Sequence, residues 1–348
     1  MWMKTSLSKK CTNCLQDTRM QCRAASHFYQ AKSGEKKAEH YDNSRSESCR
    51  SEAALKNETA ELKDFSIRQL AALCVGYGPG IPFAAFSDTK NPETIFDEQG
   101  NPLTVNDHSI GTNGYVSPAI PEKGIHSIFY KDGPAGVGTG AWPTEMLISC
   151  SFNKELWKEF GNAVGGACEK QGVNVWLAPA VNLHRHPLCG RNFEYFSEDP
   201  YLTGMCAVQI TKGVQETHNV CVCPKHFAVN EQETYRRGSA KKNYDAADSI
   251  LTERAARELY LKPFEMLVQE AGISFIMTSF NKINGIFAGG NKDLCTHILR
   301  EEWNFEGVVV TDWGDMDIVV DGGDAVAAGN DIVMPGRSAS YWADSGGI

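Results

Sequence analysis

The sequence lacks long apolar runs, and none reaches the ~18 consecutive apolar residues that a membrane-spanning helix requires. It also lacks the Gly-x-x-x-x-Gly-Lys-Ser/Thr phosphate loop, the Gly-x-Ser-x-Gly turn of serine hydrolases and the His-Glu-x-x-His metal helix. An excess of basic residues is missing too: the net charge is −9, which argues against nucleic acid or an anionic membrane as the main partner. These absences narrow the function classes without pointing to a substrate.

Secretion signals and a disulfide framework are also missing. The N-terminus reaches Lys9 and Lys10 without an apolar core, so it does not resemble a secretory signal. The 12 cysteines show no disulfide pattern, and Cys221 and Cys223 lie inside an apolar run where they are expected to act as small buried hydrophobic residues. A reduced, cytoplasmic protein is therefore expected.

Composition divides the chain into two regions. Residues 1–62 are predicted to be a charged, mostly disordered tail or linker, because apolar periodicity is weak and the first 60 residues hold 11 Lys or Arg against 7 Asp or Glu. Four possible zinc ligands occur there: Cys11, Cys14, Cys22 and His27. No second Cys-x-x-Cys or His pair completes that set, so the unstructured interpretation is favoured. Residues 63–348 are predicted to form one domain.

Short apolar strands alternate with amphipathic helices from Ser66 onward. The predicted strands are Ile125–Tyr130, Val173–Ala178, Val220–Pro224, Ser274–Thr278, Gly307–Thr311 and Asp331–Met334. Helices are predicted to begin at or just after five polar residues: Ser66, Asn153, Asp199, Thr252 and Asn291. This βα order predicts an α/β fold with a mainly parallel sheet whose strands are buried on both faces. Residues 79–124 are predicted to be an extended surface loop, in which further strands could lie unrecognised.

Polar groups follow five successive predicted strands. In chain order they are Asp132; Asn182, His184, Arg191 and Glu194; Lys225 and His226; Ser279 and Asn281; and Asp312 with Trp313. In a parallel barrel these strand ends converge on one face, where such enzymes keep their active sites. Each residue alone has a structural explanation, such as a turn at Asp132 or a helix cap at Asp312. Jointly they predict a polar ligand pocket.

The chemistry of that pocket has two interpretations. A strand-end carboxylate beside an aromatic face, as at Asp312 and Trp313, suits attack on an anomeric carbon. Lys225 at a strand end could instead form a Schiff base, as in barrel lyases. The Schiff base is disfavoured because His226 and several hydrogen-bonding groups surround Lys225. No metal or organic cofactor is indicated.

Five longer motifs resemble signatures of glycoside hydrolase family 3 and occur in that family's order. They are residues 132–136 (DGPAG), 190–200 (GRNFEYFSEDP), 225–230 (KHFAVN), 277–285 (MTSFNKING) and 309–314 (VVTDWG). The similarity covers roughly residues 66–337. It implies a (β/α)8 TIM-like barrel, and since only about six strands are recognised, the barrel is expected to be incomplete at its C-terminal end.

The resemblance implies a retaining O-glycosyl hydrolase of the β-glucosidase or β-xylosidase type, which removes terminal β-D-glycosyl residues from oligosaccharides or glycosides. Asp312 matches the nucleophile that forms a covalent glycosyl ester. Substrate-binding positions of the family carry over to Asp132, Arg191, Lys225, His226, Met277 and Trp313. Glu233 and Arg236 are expected to form a supporting ion pair. Residues 230–233 lack the Pro-Gly-His pattern of the N-acetylhexosaminide branch, which favours the glucosidase or xylosidase side.

Three departures from the family pattern bear on activity. Phe280 stands where the family usually has a Tyr whose hydroxyl bonds the nucleophile, so Asp312 is expected to be less oriented, with a raised pKa. Gly138 stands where Arg is frequent. The general acid/base usually comes from an α/β sandwich domain, which is expected to be missing from this chain, making it a fragment. The alternative to an active enzyme is therefore an impaired or non-catalytic sugar-binding remnant.

Overall fold

The computed structural model describes residues 65–66, 69–70, 73–74, 76, 115–117, 125, 128–138, 140–238, 244–313, 320 and 322–334. The prediction of a disordered tail over residues 1–62, with its candidate zinc ligands, lies outside the described residues. None of the helices in the described part is both long enough and apolar enough to cross a membrane.

Nine strands are seen in the described residues. They are β1 (Tyr115–Ser117), β2 (Ile128–Asp132), β3 (Val175–Leu177), β4 (Cys221–Val222), β5 (Asp248–Ser249), β6 (Phe275–Met277), β7 (Lys282–Ile283), β8 (Ile286–Phe287) and β9 (Val308–Val310). The helices are Glu145–Ser149, Lys154–Lys170, Pro200–Thr217, Glu253–Ala255, Ala256–Tyr260, Lys262–Met266, Leu267–Ala271, Asp293–Glu302 and Gly322–Ala328, with single 3₁₀ turns at Asn192–Glu194 and Ala288–Gly290.

A parallel sheet organises the domain, as predicted from the βα order. β2, β3 and β4 are parallel neighbours, and β6 pairs in parallel with β9. A parallel bridge between Phe227 and Thr278 joins these two groups, and another between Val310 and Ile332 adds the next segment. Backbone hydrogen bonds from Val333 to Cys74 and from Gly76 to Val333, both 2.9 Å, extend the pairing to the first described residues.

The sheet curves around an inner apolar cluster. Alternate strand residues point to opposite faces, so Tyr130, Val175 and Phe275 lie in the inner cluster while Trp176 and Val309 pack under the helices. The ring centroids of Tyr130 and Phe275 are 6.0 Å apart. Their strands, β2 and β6, are three positions apart in the strand order, and in a flat sheet that would separate them by about 14 Å. The described pairing stops at residues 74–76 on one side and β1 on the other, so a closed eight-stranded barrel stays a prediction.

Several predicted boundaries need correction. The predicted strand Ile125–Tyr130 is shifted, since pairing with β1 and β3 runs from Ile128 to Asp132. The loop predicted over residues 79–124 contains β1, which pairs antiparallel with β2. The small sheet of β5, β7 and β8 was not predicted, because strands of two residues carry no periodic pattern.

The predicted helix starts are confirmed by their caps. Each of the five polar residues accepts a hydrogen bond from the backbone N–H three residues later: Ser66, Asn153, Asp199, Thr252 and Asn291. The long helix predicted after Thr252 ends as expected at left-handed Gly272, but it is a succession of α and π segments. Pro263 has no backbone N–H to donate, and the Leu261 N–H donates to the Ala256 carbonyl, five residues earlier. Both features interrupt the regular hydrogen bonds of an α-helix, which join residues four apart.

We expect Asn153→Ala to lower the free energy of unfolding by about 1 kcal/mol, because the Leu156 N–H loses the 3.1 Å bond to the Asn153 side chain at the start of Lys154–Lys170. Urea unfolding followed by circular dichroism measures this change. Glu159→Ala, at an exposed position of the same helix, is the control and should change stability by much less. Equal effects of the two substitutions would contradict the capping role.

Candidate active site

Asp132 and Lys225 form an ion pair at adjoining strand ends. Asp132 is the last residue of β2, and Lys225 follows β4, where it bridges to Ala180. Lys225 Nζ donates to Asp132 Oδ1; the lysine side chain is buried, whereas the aspartate side chain is 67% exposed. Desolvation raises the pKa of Asp132, but the charges of Lys225 and Arg191 outweigh it and hold that pKa below its ordinary value. The site therefore presents an ionised carboxylate to solvent.

The turn after Asp132 has room only for glycine at its first position. Gly133 has φ +136°, and a Cβ there would lie 2.0 Å from the Gly136 carbonyl oxygen. The Gly133 carbonyl accepts from the Gly136 N–H and from Trp176 Nε1, both at 2.9 Å. Gly138 has φ +81°, which favours glycine and gives a local reason for its departure from the Arg of the family pattern.

Arg191 lies between two carboxylates. It precedes the 3₁₀ turn Asn192–Glu194; its Nε donates to Glu194, and its Nη1 is 3.7 Å from Glu233 Oε1. Burial opposes its charge, but Tyr195, these carboxylates and Asp312 together raise the pKa of Arg191. The guanidinium therefore brings a fixed positive charge to the same strand-end face.

His226 is fully buried and held by Asn182. The Asn182 amide accepts from the His226 N–H at 2.9 Å and donates to the His226 carbonyl at 3.0 Å, while Nδ1 of the ring lies 3.2 Å from Asn182 Oδ1. Nε2 lies 3.8 Å from Asp312 Oδ2. Burial is the main cause that lowers the pKa of His226 well below its ordinary value, and nearby cations add to it. The ring is therefore neutral at pH 7.

Asp312 is a buried carboxylate at the end of β9. Its Oδ1 accepts from the Trp313 N–H at 2.7 Å, and Oδ2 has no hydrogen-bond partner among the described residues. Desolvation raises the pKa of Asp312, and three cations oppose that shift: Arg236, Arg191 and Lys225. The pKa of Asp312 is raised, as expected from the sequence. Its largest cause is burial and not the missing Tyr hydroxyl.

Met277 belongs to the inner apolar cluster, and Trp313 packs against it. Met277 is the last residue of β6 and is buried. Trp313 is partly buried, packs against the same cluster and makes an edge contact with Tyr130 at 6.4 Å between ring centroids. The apolar cluster therefore extends to Trp313, the residue that follows Asp312 in the chain and donates its N–H to the Asp312 carboxylate.

A groove of about 510 Å³ lies elsewhere, between the β7–β8 hairpin and the helix Gly322–Ala328. Its walls are Gly285, Ile286, Phe287, Gly290, Lys292, Val320, Asp324, Ala327 and Ala328. None of the predicted site residues lines it. The convergence of charged groups at the strand ends, rather than this groove, therefore defines the candidate site.

A family model described as the glycosyl hydrolase family 3 N-terminal domain matches residues 123–342. The chain belongs to glycosyl hydrolase family 3. This family match covers all the strand ends described above, and it agrees with the resemblance carried by the five sequence motifs.

Relatives within family 3 are β-glucosidases several times longer than the matched part. Beta-glucosidase A of Butyrivibrio fibrisolvens is 43% identical over 231 residues, 64% of this chain and 26% of the relative. Thermostable beta-glucosidase B of Acetivibrio thermocellus is 38% identical over 65% of this chain and 30% of its own. The structure of beta-glucosidase 3B from Thermotoga neapolitana with α-D-glucose is 36% identical, with a TM-score of 0.66 over 82% of this chain and 37% of that chain. The chain thus spans about a quarter to a third of these relatives.

The departure from the family at Phe280 has a structural counterpart. The guanidinium of Arg236 lies over the Phe280 ring, 4.6 Å from its centroid, and that of Arg237 lies at 5.5 Å. Arg236 Nε is 3.2 Å from Glu233 Oε2, which confirms the ion pair expected from the sequence. Phe280 therefore offers a π-face to a cation where this family usually has a hydroxyl.

Sequence reasoning missed two buried carboxylates beside this family 3 site. Glu231 Oε1 accepts from the Leu183 N–H at 3.2 Å and from Asn182 Nδ2 at 3.4 Å. Glu145 accepts from the Ala180 N–H through both oxygens, at 3.3 and 3.1 Å. Burial raises the pKa of Glu145 well above its ordinary value and that of Glu231 to about 7. Each partner lies more than 30 residues away in sequence, so no local pattern could have revealed the contacts.

Proposed function

We propose that this chain carries the nucleophile and the sugar-binding groups of a retaining β-glycosidase similar to the β-glucosidases. Asp312 carries the proposal: its carboxylate is buried at a strand end, and one oxygen has no hydrogen-bond partner among the described residues. Burying an incompletely bonded carboxylate costs free energy, and such groups are concentrated at functional sites. The β-glucosidase relatives within the same family support this assignment.

The proposed reaction begins with attack of Asp312 Oδ2 on the anomeric carbon. The bond from that carbon to the leaving-group oxygen breaks as a glycosyl ester forms, and water then cleaves the ester with overall retention. Attack requires the ionised carboxylate. Desolvation disfavours that form, and the surrounding Arg and Lys charges favour it. The cations therefore increase the fraction of Asp312 that is ionised, and able to attack, at a given pH.

The other predicted residues would hold the sugar. The ionised Asp132 carboxylate can accept from two hydroxyls at once, while Lys225 and Arg191 donate. Trp313 and Met277 would supply the apolar wall against which a pyranose ring packs. As part of the same proposal, the general acid/base comes from an α/β sandwich domain. Its proton assists only leaving groups that need protonation.

An impaired, sugar-binding remnant is the second candidate function. The observation that favours it is Phe280, which has no hydroxyl to orient Asp312. The two candidates differ in whether a covalent intermediate forms, since binding alone does not require an ionised Asp312.

A Schiff-base lyase is less consistent with the geometry. Lys225 is engaged in an ion pair with Asp132, and an ammonium held by a carboxylate is not the neutral amine that attacks a carbonyl. Borohydride trapping of a carbonyl substrate on Lys225 would support the lyase instead.

Covalent trapping tests the proposed function. The full chain is incubated with 2,4-dinitrophenyl 2-deoxy-2-fluoro-β-D-glucoside, whose leaving group needs no acid, and its intact mass is measured. We expect one adduct, mapped to Asp312 by peptide sequencing. A folded chain that gains no adduct from this glucoside or from the matching xyloside would favour the remnant.

We expect Asp132→Ala to weaken glucose binding by roughly 10-fold to 100-fold, since a hydrogen bond to a charged group contributes about 1.5–3 kcal/mol. Isothermal titration calorimetry measures the dissociation constant. Asp245→Ala is the matched control, because Asp245 forms a comparably exposed ion pair with Lys282 at 2.7 Å. Unchanged affinity in Asp132→Ala would remove Asp132 from the sugar site.

A further inference from the structure

Glu231, Asn182 and His226 form a buried chain of hydrogen bonds. All three are at most 8% exposed. Glu231 Oε1 accepts from the Leu183 N–H and from Asn182 Nδ2, and Asn182 in turn contacts His226 at three atoms. The chain ends at His226 Nε2, which lies 3.8 Å from Asp312 Oδ2.

The backbone of His226 shows which way the Asn182 amide faces. An N–H can only donate and a carbonyl can only accept, so the atom 2.9 Å from the His226 N–H is the amide oxygen, and the atom 3.0 Å from its carbonyl is the amide nitrogen. The bond to Glu231 Oε1 agrees, since that contact also requires the nitrogen of Asn182 as donor.

The orientation of that amide fixes the proton of the imidazole ring. His226 Nδ1 is 3.2 Å from Asn182 Oδ1, an oxygen that accepts but cannot donate, so Nδ1 must carry the hydrogen. A neutral ring then has a bare Nε2. Nε2 and Asp312 Oδ2 are both acceptors 3.8 Å apart, and Oδ2 has no hydrogen-bond partner in the described part of the chain.

We propose that Glu231 and Asn182 are positioning residues that hold His226 in its Nδ1–H tautomer, so that Nε2 accepts a hydrogen bond from a ligand hydroxyl beside Asp312. The identity of the ligand as a sugar rests on the proposed function; the tautomer does not. Glu231 acts through its Oε1, which gives Asn182 Nδ2 a second acceptor beside the His226 carbonyl and so helps to hold the amide in this orientation. Two adjacent acceptors favour a ligand group that donates.

The tautomer is measured by nitrogen NMR. The full chain is labelled with ¹⁵N-histidine, and spectra correlating ring nitrogens with ring protons are recorded at pH 7, with His226 assigned by its loss in His226→Gln. We expect Nδ1 to give the protonated signal and Nε2 the unprotonated one. Saturating glucose is expected to move the Nε2 signal towards the protonated range.

Substitution of Glu231 tests the positioning role. In Glu231→Leu we expect the two nitrogen signals of His226 to move towards each other as the tautomers mix, because Asn182 Nδ2 loses one of its two acceptors and the amide is held less firmly. Glu231→Gln should restore the wild-type pattern, since the amide oxygen of Gln accepts equally. If Glu231→Leu does not fold, Asn182→Ala removes the Oδ1 acceptor and is expected to give the same mixing.

Glu169→Leu is the matched control. Glu169 likewise accepts from a backbone N–H, that of Asn219 at 2.7 Å, and contacts a histidine, His218, at 2.9 Å. The substitution Glu169→Leu should alter the nitrogen signals of His218 and leave those of His226 unchanged. An Nε2–H or doubly protonated His226 in the wild type would overturn the proposal, as would an unaltered tautomer in folded Glu231→Leu or Asn182→Ala. Bound glucose that leaves Nε2 unmoved would overturn the acceptor role, whatever the trapping result.

Discussion

Asp312→Gly is expected to lower the turnover of 2,4-dinitrophenyl β-D-glucoside roughly 10⁴-fold, and sodium azide is expected to restore part of it. The leaving group needs no protonation, so the loss reports on the nucleophile alone. Removing the carboxylate leaves a cavity lined by positive charge, because Arg191, Arg236 and Lys225 all act electrostatically on Asp312. A small anion can occupy that space and attack the anomeric carbon in place of the carboxylate.

The configuration of the product separates this mechanism from others. With azide, the variant should form α-glucosyl azide by a single displacement, whereas the wild type should form β-glucosyl azide by two displacements. Proton NMR of the product distinguishes the two anomers. A folded variant that keeps wild-type turnover, or forms the β-azide, would mean that another group is the nucleophile.

The elements predicted best were those with a local physical signal. A polar cap followed by an apolar periodic segment predicted the helices after Asn153 and Asp199, and both caps are made as expected. Apolar runs without alternation predicted the parallel strands, which are buried on both faces. β1 was missed because its three residues lie in a Pro-rich and Gly-rich segment, where only pairing with β2 defines a strand.

The candidate site was predictable at the level of strand ends but not of contacts. Asp132 and Lys225 could be placed on one face because each follows a predicted strand, and they meet in an ion pair. The hydrogen bond between Asn182 and His226 could not be predicted, because it joins residues 44 apart and exists only in the folded chain. Glu231 directly follows the motif of residues 225–230, but no pattern in the sequence marked it as a buried carboxylate.

We expect Glu231→Gln to make the protein more stable above neutral pH and to change little below pH 4.5. Burial raises the pKa of Glu231 from 4.5 to about 7. Between these values the folded chain binds more protons at Glu231 than the unfolded chain does, so the stability that this residue contributes falls as pH rises. Above pH 7 the full cost of ionising the buried carboxyl is of the order of 3 kcal/mol.

Glutamine removes that cost because it keeps the accepting oxygen and cannot ionise. The free energy of unfolding, measured in urea at pH 5 and pH 8, should therefore fall between these pH values by about 2–3 kcal/mol less in the variant than in the wild type. Other groups titrate in the same range, but they are common to both proteins and cancel in the comparison. Glu258→Gln, on an exposed helix surface, should show the wild-type difference. An identical pH dependence in Glu231→Gln would mean that Glu231 ionises in the folded chain as readily as in the unfolded one, and that its buried position imposes no such cost.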